Sequence, residues 1–278
     1  MSRSSPPQHT FRHDAMATTF KIAVAGHDRR YARQAAQAAF EELDRIEGRL
    51  SRYVENSDIS RVGHLNAGQI SVVHPDTFDC LQIALEVERV TDGAFDVAYA
   101  LRNRSDSGPS FRLDVEKHAV EVLTNGILLD LGGIGKGFAL DRIAGLLRDW
   151  EIESVLLAAS TSTLLARKPP PGVQGWPVSI GPPHDTHHLR ISNHAVSGSG
   201  TAARGHHIIV PKTGQPAKGR IRVWAIAPTA AMADALSTAF MVMSAEQIRR
   251  CCRRQPGVRA FLMESPTGPL MAVGGKSR

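Results

Sequence analysis

Apolar residues recur at helical spacing in several separated segments of the chain. From Tyr31 to Leu50, the positions Ala36, Phe40, Leu43, Ile46 and Leu50 fall on one side of a helix, which predicts an amphipathic helix lying on a sheet. A second helix is predicted from about Thr77 to Val90, with Asp76 after Pro75 as its N-cap and Gly93 near its end. A third follows a glycine-rich run and carries Leu140, Ile143, Leu147 and Trp150; a fourth spans Ala230 to Met243 with Met232, Leu236, Ala239, Phe240 and Met243 as its apolar stripe. Strands are expected at Phe20 to Ala25 and Gly126 to Leu129. Beyond Ser154 come short β-like runs separated by Gly, Pro and His: Trp176 to Ile180, Leu189 to Ile191, Ala195 to Val196, Val223 to Ala227, Ala260 to Met263 and Leu270 to Val273. Strands and helices mix without strict βαβ alternation, and no repeat or long linker divides the chain. The reading is a single α+β domain over residues 15–275, a mixed β-sheet flanked by helices, preceded by a polar disordered tail over residues 1–14.

Composition narrows the function class. The chain has 278 residues, 42% of them hydrophobic, enough for a substantial core, and no stretch approaches the roughly 20 apolar residues of a membrane span. The first fourteen residues lack the apolar core of a signal peptide, so a cytoplasmic location is expected. Three cysteines, Cys80 and the adjacent Cys251-Cys252, form neither a zinc spacing nor a disulfide framework. A net charge of +6 suits an anionic partner. Aromatics are 5% of the chain and none interleaves the cluster Arg249, Arg250, Arg253 and Arg254, which argues against nucleic acid and leaves a phosphorylated small molecule or a plain solvated basic face.

Four places carry candidate chemistry. The run Asp130-Leu131-Gly132-Gly133-Ile134-Gly135-Lys136-Gly137 lies between the expected strand and a helix, as in a phosphate cradle of backbone N–H groups with a lysine charge beside it, or as in a purely structural glycine turn. It matches neither the Walker A nor the dinucleotide fingerprint, since Gly137 follows the lysine where Ser or Thr would stand. Asp234 and Thr238 lie four residues apart on one helix face, roughly opposite the apolar stripe; spacing alone favours a solvated face with a local hydrogen bond, and the alternative is a carboxylate and a hydroxyl suited to Mg²⁺. Asp96 beside Phe95 follows a turn signal and offers a polar anchor for a planar ring or a plain helix cap. His207 opens an apolar strand and is a candidate general base.

Taken in order, these segments resemble the ApbE family of FAD:protein FMN transferases. The resemblance runs from about Met16 through Leu50-Ser51-Arg52-Tyr53, Gly93-Ala94-Phe95-Asp96, the Asp130–Gly137 loop, Val196 to Gly200 and His207 to Gly214, and ends at Ala233 to Thr238. It implies a Mg²⁺-dependent enzyme that moves the FMN half of FAD onto a Thr or Ser hydroxyl of a target flavoprotein and releases AMP. By the same resemblance Met16, Tyr53, Ala94, Phe95, Asp96, Asp130, Lys136 and His207 would contact FAD. Gly135, Asp234 and Thr238 would hold the metal, and His207 and Lys136 would be catalytic. The alternatives are hydrolysis of FAD to FMN and AMP at the same centre, and a non-catalytic flavin-binding or assembly protein. The chain departs from the family pattern at Val210 and Lys212, where the family has Asp and Arg, and at Ala158 to Ser162, where it has Gly-Gly-Asp.

Overall fold

A computed structural model describes residues 8–98, 108–201 and 208–274. β1 (Gln8–Ala15) pairs antiparallel with β2 (Thr18–Ala25) through the two-residue turn Met16-Ala17. Both turn residues have positive φ, 49° and 55°. A two-residue hairpin demands that twist, which Asn-Gly normally supplies, and side chains with a Cβ adopt it at a cost of about 1–2 kcal/mol each. The tail expected over residues 1–14 is thus displaced at its end by β1. This strand's exposed and half-buried alternation, built from mostly polar residues, leaves no hydrophobic period to read.

Asp28 caps α1 (Arg29–Leu50), accepting the N–H groups of Arg30 and Tyr31, and the helix buries Phe40, Leu43, Ile46 and Leu50 as their spacing predicts. After α2 (Asp58–Gly63) and β3 (Ile70–Val72), α3 (Pro75–Val90) begins with His74, not Asp76, as N-cap. Pro75 fills the first helical position, where its missing N–H costs nothing. Asp76 is instead buried between Arg49 at 2.5 Å and Arg142 at 2.6 Å, tying three helices together. β4 (Phe111–Asp114) and β5 (Ala119–Val122) join β3 in a small sheet. Gly126 to Leu129, expected as a strand, belong to no sheet; Leu129 is buried, and the segment is anchored where the Asp130 N–H donates to the Val97 carbonyl at 2.7 Å.

The remaining elements are α4 (Gly135–Asp149), β6 (Val155–Ala159), β7 (Thr163–Ala166), β8 (Trp176–Ile180), β9 (His187–Ile191), β10 (His194–Gly200), β11 (Ile209–Val210), β12 (Gln215–Pro216), β13 (Arg222–Ala227), α5 (Ala230–Phe240), α6 (Ala245–Arg254), β14 (Arg259–Met263) and β15 (Met271–Val273). Eight strands form the main sheet in the order β1-β2-β6-β7-β10-β13-β14-β15. Every pairing in it is antiparallel, so the α+β class holds while the sheet is antiparallel and not mixed. Strand parity divides the core. Leu165, Ala195, Val223, Ala225 and Leu262 pack toward the helices, while Ala166, Val196, Trp224, Ile226 and Phe261 pack under the β8–β9 ribbon on the other face. No helix among the described residues is long and apolar enough to cross a membrane, and Cys80, Cys251 and Cys252 are free and buried.

α5 occupies the centre, packed on β7, β10 and β13 below and against α3 and α4 above. Its first turn is fixed by Asp141 of α4, which accepts the N–H groups of Ala230 at 2.9 Å and Ala231 at 2.8 Å. Burial raises the Asp141 carboxyl above its ordinary range, more than these two donors lower it.

Candidate active site

Asp234 is 4% exposed. It stands away from the apolar stripe of α5, and its face also turns inward, because the helix is covered on both sides by sheet and helices. A buried carboxylate has to be hydrogen-bonded, and this one is. Oδ1 lies 3.1 Å from the Thr163 hydroxyl and 3.0 Å from the Ser197 hydroxyl, and Oδ2 accepts the Gly137 N–H at 3.1 Å. The Lys136 ammonium is 3.8 Å from Oδ2. Thr238, one turn on, donates to the Asp234 carbonyl at 3.3 Å and meets the Ser199 hydroxyl at 3.3 Å.

The glycine loop and α5 therefore meet. A Cβ on Gly133 would lie 3.1 Å from Thr238 Oγ1 and 3.2 Å from the Phe95 ring, so only glycine leaves both groups their place. One expectation for this loop changes. Three of its four glycine N–H groups are engaged within the protein: Gly132 donates to Asp130 Oδ1 at 2.8 Å, Gly135 donates with Ile134 to the Leu131 carbonyl, and Gly137 donates to Asp234. The loop packs as a self-bonded turn, and its one cationic group, Lys136 Nζ, donates to the Gly132 carbonyl at 2.9 Å.

The structure brings several other expected residues to this turn. Phe95 is buried against Gly133, and Ala94 packs at the rim of the core. Asp96 is turned into its own loop, with Oδ1 accepting the Ala98 N–H at 2.8 Å, which is the turn reading of that motif. Tyr53 is 82% exposed, and the Arg52 guanidinium lies 4.8 Å over its ring and 3.6 Å from Asp130 Oδ2. Arg52 thus links Tyr53 and Asp130. Met16 stands in the strained hairpin turn next to β2, whose Thr19 carbonyl accepts the Ser160 N–H, so the Met16 and Ser160 turns share one end of the sheet. Gly135 opens α4 beside Lys136. His207 lies outside the described residues.

Thr163, Ser197 and Ser199 were not picked out as site residues. The signal that finds them is parity: Thr163 shares a face with Leu165, and Ser197 with Ala195, so two hydroxyls stand at core-facing positions of otherwise apolar strands. A buried hydroxyl pair on neighbouring strands needs an acceptor, and Asp234 is it.

Comparison with known proteins identifies the family and the fold. The profile of the ApbE family matches residues 16–262. The FAD:protein FMN transferase of Salmonella typhimurium is 26% identical over 300 aligned positions, covering 94% of this chain and 85% of that protein. The crystal structure of the ApbE protein of Thermotoga maritima superposes with a TM-score of 0.78 at 26% identity, covering 96% of this chain and 97% of that one. The apo flavinyl transferase ApbE of Pseudomonas stutzeri has the same fold, with a TM-score of 0.84 at 22% identity over 98% of this chain and 96% of that one. With a matched profile spanning nearly the whole described fold, the chain belongs to the ApbE family.

Proposed function

We propose that this protein is an FAD:protein FMN transferase that uses Mg²⁺ and moves FMN from FAD to a Thr or Ser hydroxyl of a target flavoprotein, releasing AMP. The observation that carries the reading is the meeting of Lys136 and the Gly133–Gly137 turn with Asp234 and Thr238 in one place. The donor set fits a hard divalent cation. It offers one buried carboxylate, one hydroxyl kept reachable by the absent Cβ of Gly133, and the carbonyls of the loop. Among the described residues no group of three or more His, Cys, Asp or Glu gathers as a transition-metal site would. Mg²⁺ suits such a sparse set because it takes one or two protein carboxylates and completes its shell with phosphate oxygens and water.

Asp234, Thr238 and the Gly135 carbonyl would hold the ion, which when bound neutralises charge developing on the diphosphate. The chain's own residues do the rest. Thr163 and Ser197 fix the carboxylate, Lys136 adds positive charge beside the diphosphate, and the exposed Tyr53 with Phe95, Asp130 and Met16 surrounds the flavin dinucleotide. The acceptor oxygen attacks the phosphorus of the FMN half, the bond to the AMP half breaks, and the hydroxyl proton passes to His207, a role assigned on the resemblance alone.

The test is incubation with FAD and Mg²⁺, with and without candidate acceptor flavoproteins, following AMP release and covalent flavin fluorescence on a denaturing gel. Labelled acceptor with AMP is expected. AMP without any labelled protein would replace transfer by FAD hydrolysis, and no AMP under either condition would overturn both. Thr163→Val, which keeps shape and loses the hydroxyl, is expected to weaken Mg²⁺ affinity about tenfold through the loosened Asp234 carboxylate. Isothermal titration measures this, and unchanged affinity would remove Thr163 as a positioning residue.

A further inference from the structure

We propose that Lys136 is the resident counter-ion of the Asp234 pocket, so that a divalent cation binds strongly only together with the dinucleotide whose diphosphate draws the ammonium away. The inference rests on the metal reading above and adds an order of binding to it.

Three observations carry it. Asp234 is 4% exposed, and among the described residues the cation within 4 Å of it is Lys136, 3.8 Å from Oδ2. A buried carboxylate without an opposite charge is costly, so in the ligand-free protein the ammonium supplies the balance. Second, Lys136 is held in that position: Nζ lies 2.9 Å from the Gly132 carbonyl, and its side chain is 21% exposed. Third, the same oxygen is already shared with the Gly137 N–H at 3.1 Å, and Oδ1 with two hydroxyls. An ion approaching Oδ2 thus meets a tethered positive charge a few ångströms away.

A diphosphate changes the sign of this balance. Its oxygens attract both the ammonium and the cation, so Lys136 can leave Oδ2 for phosphate while the cation takes its place. The consequence is positive coupling between dinucleotide and metal, and linkage requires it to be reciprocal. The arrangement also keeps the pocket from gathering stray divalent ions before the substrate arrives.

The experiment titrates the folded protein with Mn²⁺, following free Mn²⁺ by electron paramagnetic resonance, with and without FAD and in the absence of any acceptor protein. FAD is expected to tighten Mn²⁺ binding by wild-type protein about tenfold or more. Lys136→Gln is expected to bind Mn²⁺ about tenfold more tightly than wild type without FAD, and to gain less from it. Lys136→Arg, which keeps the charge, should bind Mn²⁺ as weakly as wild type. Equal affinity of wild type and Lys136→Gln without FAD would overturn the proposal, as would Lys136→Arg binding as tightly as Lys136→Gln. If none of the three binds Mn²⁺ even with FAD, the metal site itself falls, and the counter-ion role falls with it.

Discussion

Asp234→Asn is expected to lower AMP release by about 10³-fold or more, the scale seen when a site loses the group that aims its electrostatic field. Every neighbour of the carboxylate is a donor: the Thr163 and Ser197 hydroxyls on Oδ1, and the Gly137 N–H and Lys136 ammonium near Oδ2. An amide has one acceptor oxygen, so its NH₂ must face donors whichever way it is turned. The charge that would hold a cation is lost at the same time. The conflict should also destabilise the fold by about 1–3 kcal/mol, the cost of unsatisfied buried donors. Turnover is therefore measured well below the melting transition. Activity within tenfold of wild type there would exclude Asp234 as a metal ligand.

The second large effect is structural. Gly137→Ala is expected to destabilise the protein by about 3 kcal/mol, at or beyond the upper end for overpacked cores. The new Cβ would lie 2.5 Å from the Ala230 carbonyl carbon, closer still to its oxygen, and 2.8 Å from the Ala231 nitrogen. All three are backbone atoms, which cannot swing aside as a side chain would. Relief requires α4 and α5 to separate, and that pulls on the Asp141 caps and on the Gly137–Asp234 bond together. Gly145 in the same helix is the control, because no atom lies within 4 Å of its Cβ position. Gly145→Ala is expected to stabilise by up to about 1 kcal/mol through helix propensity. Urea denaturation compares the two, and equal midpoints would refute the close contact.

Much of this was legible in the sequence, for reasons particular residues make plain. α1 and α4 announced themselves because Phe40, Leu43 and Ile46, or Leu140, Ile143 and Leu147, repeat at 3.6-residue spacing against one core face. The i, i+4 relation of Asp234 and Thr238 also survived. Of the two readings of that pair, the solvated face is the one that falls: α5 is buried nearly all round, so its polar face turns inward. β1 was hidden because an edge strand of polar residues has no apolar period, and His74 because the proline after it displaced the cap from the expected Asp76. The Gly126 to Leu129 run has the apolar residues of a strand but spends them on packing without a ladder. The Thr163–Ser197 pair depends on a strand register that no local pattern states.

The pocket around Asp234 is assembled from residues far apart in the chain: Phe95, Gly133, Thr163, Ser197 and Thr238. No short fragment contains it, and a growing polypeptide lacks it until α5 and the strands beside it have left the ribosome. Long-range pairing of this kind also folds slowly. A nascent chain therefore lacks this constellation through most of its synthesis. Binding competence arrives late and all at once, making it a sensitive reporter that the whole sheet has closed.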